Sequence, residues 1–506
     1  MIAMESGACS KGNKKPGAPQ RPDRERIDWV AVKSVRPSFA RLSLSRSEHG
    51  LAVVVLGSWL ILYVWRAVSG HYSLATNAFD LSVFDYSLWN TLRGKWGFVP
   101  FLGHSIFSHH FMPVLLLLAP VYALVQSPVF LITLQEGSVA AGGWLFYRFE
   151  RRIGLDRAVS LILLVVFLTT RRMHSAALSV FYPECFEAVL TFAVVAAWTR
   201  SARVFWPTAV LLLMTKEDAA LYLAAFAAVQ FFIGPVDARR RAAGALALSI
   251  AWAVVAFGVA IPASRAMEGL ATSNPLLESR YGTDPHTLPI AAFASRLLSL
   301  RTLRTLFDLA AATGFLVVLA PATIAPAVPG VLANVAANQD SMQATMIGHY
   351  AWAVLPWLFM AAAAGALRLQ ARSMRWTRVW CALLLAGTLV DSRAAQSFPR
   401  THADAQARII LHQLADITSG DDYLNHVILA QPNLIPHLRH SDHIFALKGD
   451  YHPPSDPDWI LLTRTGDLWP LQPDELDGLV AQFAADPAYE QRLAGPLFAF
   501  RLRRGH

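Results

Sequence analysis

Long apolar runs follow one another along most of this chain, and the polar stretches between them are short. A helix that crosses a bilayer needs about twenty mostly apolar residues, fewer when it packs among neighbours. On that pattern spans are expected near 51–68, 129–147, 157–172, 186–200, 204–216, 218–234, 242–262, 306–320, 322–337, 350–368 and 376–392, eleven crossings in all. The segment 112–126 is apolar as well, but counting it would reverse the side on which Arg151 and Arg152 emerge, so it reads as an interfacial helix or a re-entrant hairpin. After 393 the pattern changes to short apolar runs at 426–430, 443–447, 458–463 and 497–502, read as strands, with helical periodicity at 402–415 and 473–485. The expected fold is an α-helical polytopic membrane protein followed by a small C-terminal α/β domain. Its parts are a basic tail at 1–50, a multi-span domain at 51–392 with a first outer loop at 69–128, and the α/β domain at 393–506.

Composition supports the membrane reading, with apolar residues at 54%, charged residues at 16% and a mean hydropathy of +0.38. The net charge of +9 is unevenly placed: residues 1–50 hold ten Lys or Arg against five acids, and residues 393–506 hold ten against fourteen. A basic leader, together with Arg148/Arg151/Arg152, Arg200/Arg203, Arg239 to Arg241 and Arg368/Arg372/Arg375/Arg378 on its side, follows the positive-inside rule and makes nucleic-acid binding unnecessary. The N-terminus is then expected to be cytoplasmic and the C-terminus extracytoplasmic, in a cell membrane. The first span lacks a small-residue cleavage site and reads as a signal anchor. Cys9, Cys185 and Cys381 give no disulfide framework and no cysteine metal site.

The first outer loop holds the densest chemistry. Asn77 to Pro113 contains Asp80, Asp85, His104, His109 and His110 among Phe79, Phe84 and Trp89. Carboxylates beside hydrocarbon are expensive to dehydrate, which points to a site for a polar substrate. On a regular helix Asp80 and Asp85 diverge by about 140°; if the helix starts near Asp80, that carboxylate caps it and still faces the aqueous side. The bland alternative is capping plus a surface ion pair with Arg93 or Lys95. The three histidines lack a shared ligand spacing, so phosphate contact or metal ligation competes with plain hydrogen bonding. Further along, Arg171, Arg172 and His174 stand where positive charge is disfavoured, as headgroup anchors or as anion contacts. Tyr182, Glu184 and Glu187 open a span, and Lys216, Glu217 and Asp218 interrupt two apolar runs, with Lys216 expected to pair with a carboxylate or a phosphate. Asn338, Asp340, His349 and Tyr350 gather at another outer turn. The loop 263–305, with Ser273, Asn274, Pro275, Glu278, Arg280, Tyr281, Gly282, Asp284, Pro285 and His286, is read as a substrate-covering loop or an inert connector.

FDLSVFD, HHFMP, FYPE, KED and GHY, in this order between about residues 50 and 395, resemble the bacterial membrane family called domain of unknown function 2079. That family is similar in architecture to GT-C-fold glycosyltransferases, which use polyprenyl-phosphate sugars. The resemblance implies an essential acid in the first outer loop, here Asp80 or Asp85, and lateral access for a lipid donor. Two features depart from the pattern: the carboxylates are spaced rather than adjacent, and Tyr182 stands where a histidine would precede the proline. The expected activity is transfer of a sugar from a polyprenyl-phosphate donor at the outer face. Asp80, the first choice, or Asp85 would be the general base or orient a metal that does so, and Lys216, Glu217, Asp218, Arg171, Arg172, Glu184, His349 and Tyr350 would hold substrate and phosphate, with a divalent metal as an open cofactor. The rivals are a transporter or lipid flippase, which would show paired repeats and broken helices, and a noncatalytic scaffold.

Overall fold

The computed structural model describes residues 46–271, 280–281, 290–338, 340–395, 405–448 and 452–503. The tail before residue 46, and Ser273, Asn274, Pro275, Glu278, Gly282, Asp284, Pro285 and His286, lie outside the described residues.

Helices dominate up to residue 395. Three of those described are long and apolar enough to cross a membrane, His49–Tyr72, Pro128–Ile153 and Val236–Met267. Two bent pairs raise the number to five, Arg157–Thr169 with Arg171–Ala177 at 53° and Met342–Ala351 with Leu355–Arg372 at 84°. Eleven long spans are therefore not what forms, because several apolar runs are cut short by local chemistry. Ala202–Leu213 and Ala219–Phe232 are single short helices separated at Lys216, Glu217 and Asp218. The stretch expected to hold two spans, 306–337, breaks at Gly314 and Phe315, both with left-handed φ of 58°, and again around Pro321 and Pro326. The apolar segment after His110 forms only Val114–Tyr122, too short to cross.

The ends of these helices are set by side chains. Ser127 accepts from Val129 N ahead of Pro128, and Gly154 closes the same helix with φ of 91°. Asp156 caps Arg157–Thr169 through Ala158 N and Val159 N. In the interior, small residues let backbones meet: a Cβ on Gly365 would lie 2.0 Å from Leu316 O. Ala361, Ala362, Ala363 and Ala366 of the same helix are fully buried, so Leu355–Arg372 is a core helix packed by close approach.

A hairpin of β1 (Phe98–Val99) and β2 (His104–Ser105) shapes the segment after the first long helix. The C-terminal region contains β3 (Ile428–Ala430), β4 (Ile444–Ala446), β5 (Trp459–Thr463), β6 (Tyr489–Ala494) and β7 (Leu497–Leu502) in the order β4-β3-β5-β7-β6. β3 is parallel to β4 and β5, while β7 is antiparallel to β5 and β6. Alternation sorts the two faces of the sheet. Ile460, Leu462, Phe498 and Phe500 pack beneath Pro473–Ala485. Ile428, Leu461, Leu497 and Ala499 join Ile410 and Leu414 of Ala405–Thr418 in the core that is continuous with the helical bundle.

Candidate active site

The polar segment after the first long helix enters through a cap that the sequence places differently. Asn77, not Asp80, is the N-cap, accepting from Phe79 N at 3.0 Å. Ala78–Ser82 then forms a π-helical turn before the α-helix Val83–Leu92. Such wide turns often occur at functional positions, and this one carries Asp80. The two aspartates diverge as helix geometry requires. Asp80 is half-buried and accepts a short hydrogen bond from the Tyr182 hydroxyl. Asp85 is 2% exposed and is held between the Tyr122 hydroxyl at 2.5 Å and His440 Nε2 at 2.6 Å. Neither pairs with Arg93 or Lys95, which instead bind Asp442 at 2.9 and 2.7 Å.

From Asp80 a continuous set of contacts runs inward. The Tyr182 ring stacks on His349 with centroids 3.9 Å apart, and His349 lies against Tyr350 at 4.0 Å. The Arg280 guanidinium sits over the Tyr350 ring at 5.7 Å. Beside them Lys216 donates to Glu184 at 2.7 Å, with the two residues only 5% and 4% exposed. Glu217 takes His110 Nδ1 at 2.8 Å on one oxygen and Phe111 N at 2.9 Å on the other. Thr215 donates to Glu187 at 3.1 Å, and Asp218 Oδ1 is buried without a hydrogen-bond partner. Arg172 reaches Thr345 O at 3.3 Å, and Gly348 N donates to Ser175, so the helix Arg171–Ala177 abuts the His349 turn while Arg171 stays exposed.

The electrostatics follow from burial and pairing. Burial raises the Asp80 carboxyl; the Tyr182 hydrogen bond opposes this, and the nearby Asp467 charge adds to it, leaving the group above the usual carboxylate range. Burial also works against charge on Glu184, but Lys216 and His349 outweigh it and hold Glu184 low. Glu217 is driven down to about 2 because His110 and Lys216 overcome its burial. Asp218 goes the other way: burial outweighs Lys216, and Glu217 and Glu184 add like charge. Lys216 is raised despite burial by Glu184, Asp218 and Glu217.

Most of the residues singled out in the sequence therefore meet, but not as one arrangement. Asp80, Tyr182, Glu184, Lys216, Glu217, Asp218, His349 and Tyr350 adjoin one another. Asp85 faces a different set of partners, and Asp340 forms a surface pair with Arg301 at 3.0 Å. The expected phosphate contact at Lys216 meets an obstacle, since its charge is committed to Glu184 and flanked by two further acids. The three histidines also separate. His104 and His109 approach to 3.1 Å between their Nε2 atoms, while His110 belongs to Glu217. Among the described residues no group of three or more His, Cys, Asp or Glu is placed to hold a metal ion. The arrangement does not fit a metal site built on the three histidines.

Sequence reasoning missed the partners that the C-terminal region supplies. His440 binds Asp85 and stacks on Trp89 at 5.2 Å, and Asn77 donates to Asp467 at 2.9 Å. Glu268, which accepts from Ser105 N at 2.6 Å and from the Ser108 hydroxyl, ties the β1–β2 hairpin to the end of a long helix. No local pattern marks these residues.

A family model described as a predicted membrane protein, DUF2079, matches residues 70–491. The chain belongs to the DUF2079 family. The match extends past the motifs found between residues 50 and 395 and takes in β3, β4, β5 and the start of β6, ending before β7. A bilayer is the environment of this DUF2079 protein, consistent with its apolar helices. No curated protein matches the chain.

Proposed function

We propose that this protein is a membrane glycosyltransferase that moves a sugar from a polyprenyl-phosphate donor to an acceptor at the outer membrane face, with Asp80 as general base. The observation that carries the reading is the state of Asp80: half-open, on a π-helical turn, hydrogen-bonded by Tyr182 and raised by burial. A carboxylate moved toward neutral pH is a better proton acceptor in water-poor surroundings. In the step, the acceptor oxygen bonds to the anomeric carbon, the acceptor proton passes to Asp80, and the bond from that carbon to the phosphate oxygen breaks. The polyprenyl phosphate leaves as an anion, met by exposed Arg171 and by Arg172. The buried network of Lys216, Glu184, Glu217 and Asp218 fixes the Tyr182 and His349 wall and is not itself the phosphate contact. On this reading the short helices cross the bilayer together with the long ones, with the N-terminus cytoplasmic, the C-terminal domain extracytoplasmic and the lipid donor entering from the bilayer.

A transporter is the second reading, favoured by the buried acids Glu184, Glu187 and Glu217, with half-buried Asp218, around one lysine. The two separate in liposomes of purified protein supplied with labelled polyprenyl-phosphate monosaccharides. Covalent transfer that D80N abolishes supports the enzyme. Flux of labelled lipid without product supports the transporter, and full transfer by D80N removes Asp80 from the mechanism.

A further inference from the structure

The turn before Pro470 reaches from the C-terminal sheet to the Asp80 turn and is pinned there. Asp467 N donates to Leu74 O at 2.9 Å, and Asp467 Oδ2 accepts from Asn77 Nδ2 at 2.9 Å. Its other oxygen accepts from Trp469 N at 3.1 Å. Gly466 makes the approach feasible: its φ is +88°, and a Cβ there would stand 2.3 Å from Leu74 O. The result is a fixed loop that presents one large apolar side chain. Trp469 is 55% exposed and meets Phe79 in a T-shaped contact, with centroids 5.6 Å apart at 88°. Asn77 bears on both carboxylates: it donates to Asp467, and its side chain favours the charged form of Asp80.

An open indole on a rigid, polar turn leaves apolar area in contact with water, and its position beside two carboxylates narrows what covers it. A sugar ring has the matching chemistry: one face of C–H groups for the indole, and hydroxyls that donate to carboxylates. An anionic lipid surface fits worse, because Asp80 and Asp467 repel it. We infer that Trp469 and Asp467 form a carbohydrate subsite beside Asp80, the indole stacking on an apolar sugar face and the Asp467 carboxylate accepting hydrogen bonds from the sugar hydroxyls. Assigning this sugar to the acceptor rests on the proposed transfer reaction; the binding itself does not.

The test uses full-length protein in nanodiscs free of glycolipid and of sugar-based detergent. Saturation-transfer NMR is recorded with methyl glycosides of glucose, galactose, mannose and arabinose as probes. Ring-proton signals from at least one glycoside are expected, lost in W469A and D467N and retained in W469F, whose aromatic face survives. Equal signals in wild type and W469A overturn the subsite, as does the lack of signal from every glycoside. Where a donor supports turnover, W469A should raise acceptor KM about tenfold with little change in kcat, a stacking-sized effect. Glycoside binding without any transfer sinks the transferase and leaves the subsite; transfer with an unchanged KM in W469A does the reverse.

Discussion

Asp80 and Asp85 leave the same short segment five residues apart and meet opposite surroundings. Asp80 sits on a widened turn, half-open, with Tyr182 as its hydroxyl partner and a buried ion pair beyond it. Asp85 is sealed, with one oxygen on Tyr122, the other on His440, and Trp89 stacked behind the imidazole. A sealed carboxylate with both oxygens satisfied has no approach left for a substrate, and it joins three parts of the chain that are far apart in sequence. An open one with a raised proton affinity is suited to take a proton. The difference makes Asp80 the candidate base of the proposed reaction and Asp85 a joint between segments, although composition treats them alike.

The sharpest way to break this contrast is to neutralise each in turn. D80N should lower kcat for sugar transfer by about a hundredfold or more, the usual scale for a lost general base, with little change in thermal stability. A D80N protein with normal turnover would erase the distinction. Next in size is the buried pair behind Asp80. K216M leaves Glu184 charged and unpaired in the interior, which costs about 3–5 kcal/mol, whereas the K216M/E184Q double variant should recover much of that loss in denaturation of the purified protein. Equal destabilisation by single and double variants would mean that the pair does not support this wall.

Glu217 gives the same wall a pH signature. Its folded pKa is lowered from 4.5 to about 2, so its contribution is complete above 4.5 and disappears as the pH falls toward 2. E217Q should therefore flatten the acid limb of a stability profile measured between those values, and an unchanged limb would show that His110 and Lys216 do not hold Glu217 as described.

D85N ranks below these. It keeps the side chain's shape but weakens two hydrogen bonds to a buried carboxylate, a loss of about 1–3 kcal/mol, while turnover per folded molecule stays near wild type. A turnover defect as large as that of D80N would move Asp85 into the chemistry.

How much of this the sequence discloses depends on the range over which each feature is specified. Strand positions such as 458–463 and 497–502 are legible because a short apolar run between polar residues is a local signal, and Asp80 stands out as a candidate because acids beside an apolar run are costly wherever the chain goes. β6 is missed: YEQRLA is a polar edge strand whose pairing with β7 carries it, with little apolar pattern of its own. The count of long spans is overestimated because hydropathy does not register the Gly314–Phe315 turn or the prolines that cut 306–337 into short pieces. His440, Asp467 and Asp442 could not be found by spacing, since each acquires meaning only from a partner more than three hundred residues away. The same limit explains why Asp85 and Asp80 look equivalent until the C-terminal sheet is in place.

The smallest expected effect lies at the rim of the Asp85 contact. Asp442 binds Arg93 and Lys95, but these side chains are 41% and 47% exposed, so water and salt screen the pairs. Partial burial raises the Asp442 carboxyl; Arg93 and Lys95 outweigh it and hold the group below its ordinary value. Its contribution is thus present above the usual carboxylate range and fades as the pH falls through the lowered value. D442N should cost only about 0.2–1 kcal/mol near neutral pH, less still in high salt, against the larger loss in D85N. The comparison is informative because both variants loosen the same meeting of the first polar segment with the C-terminal region, one at the exposed rim and one at the buried centre. If D442N matched D85N in denaturation at both low and high salt, the exposed pairs rather than the sealed Asp85–His440 contact would be seating the C-terminal region on the segment that carries Asp80.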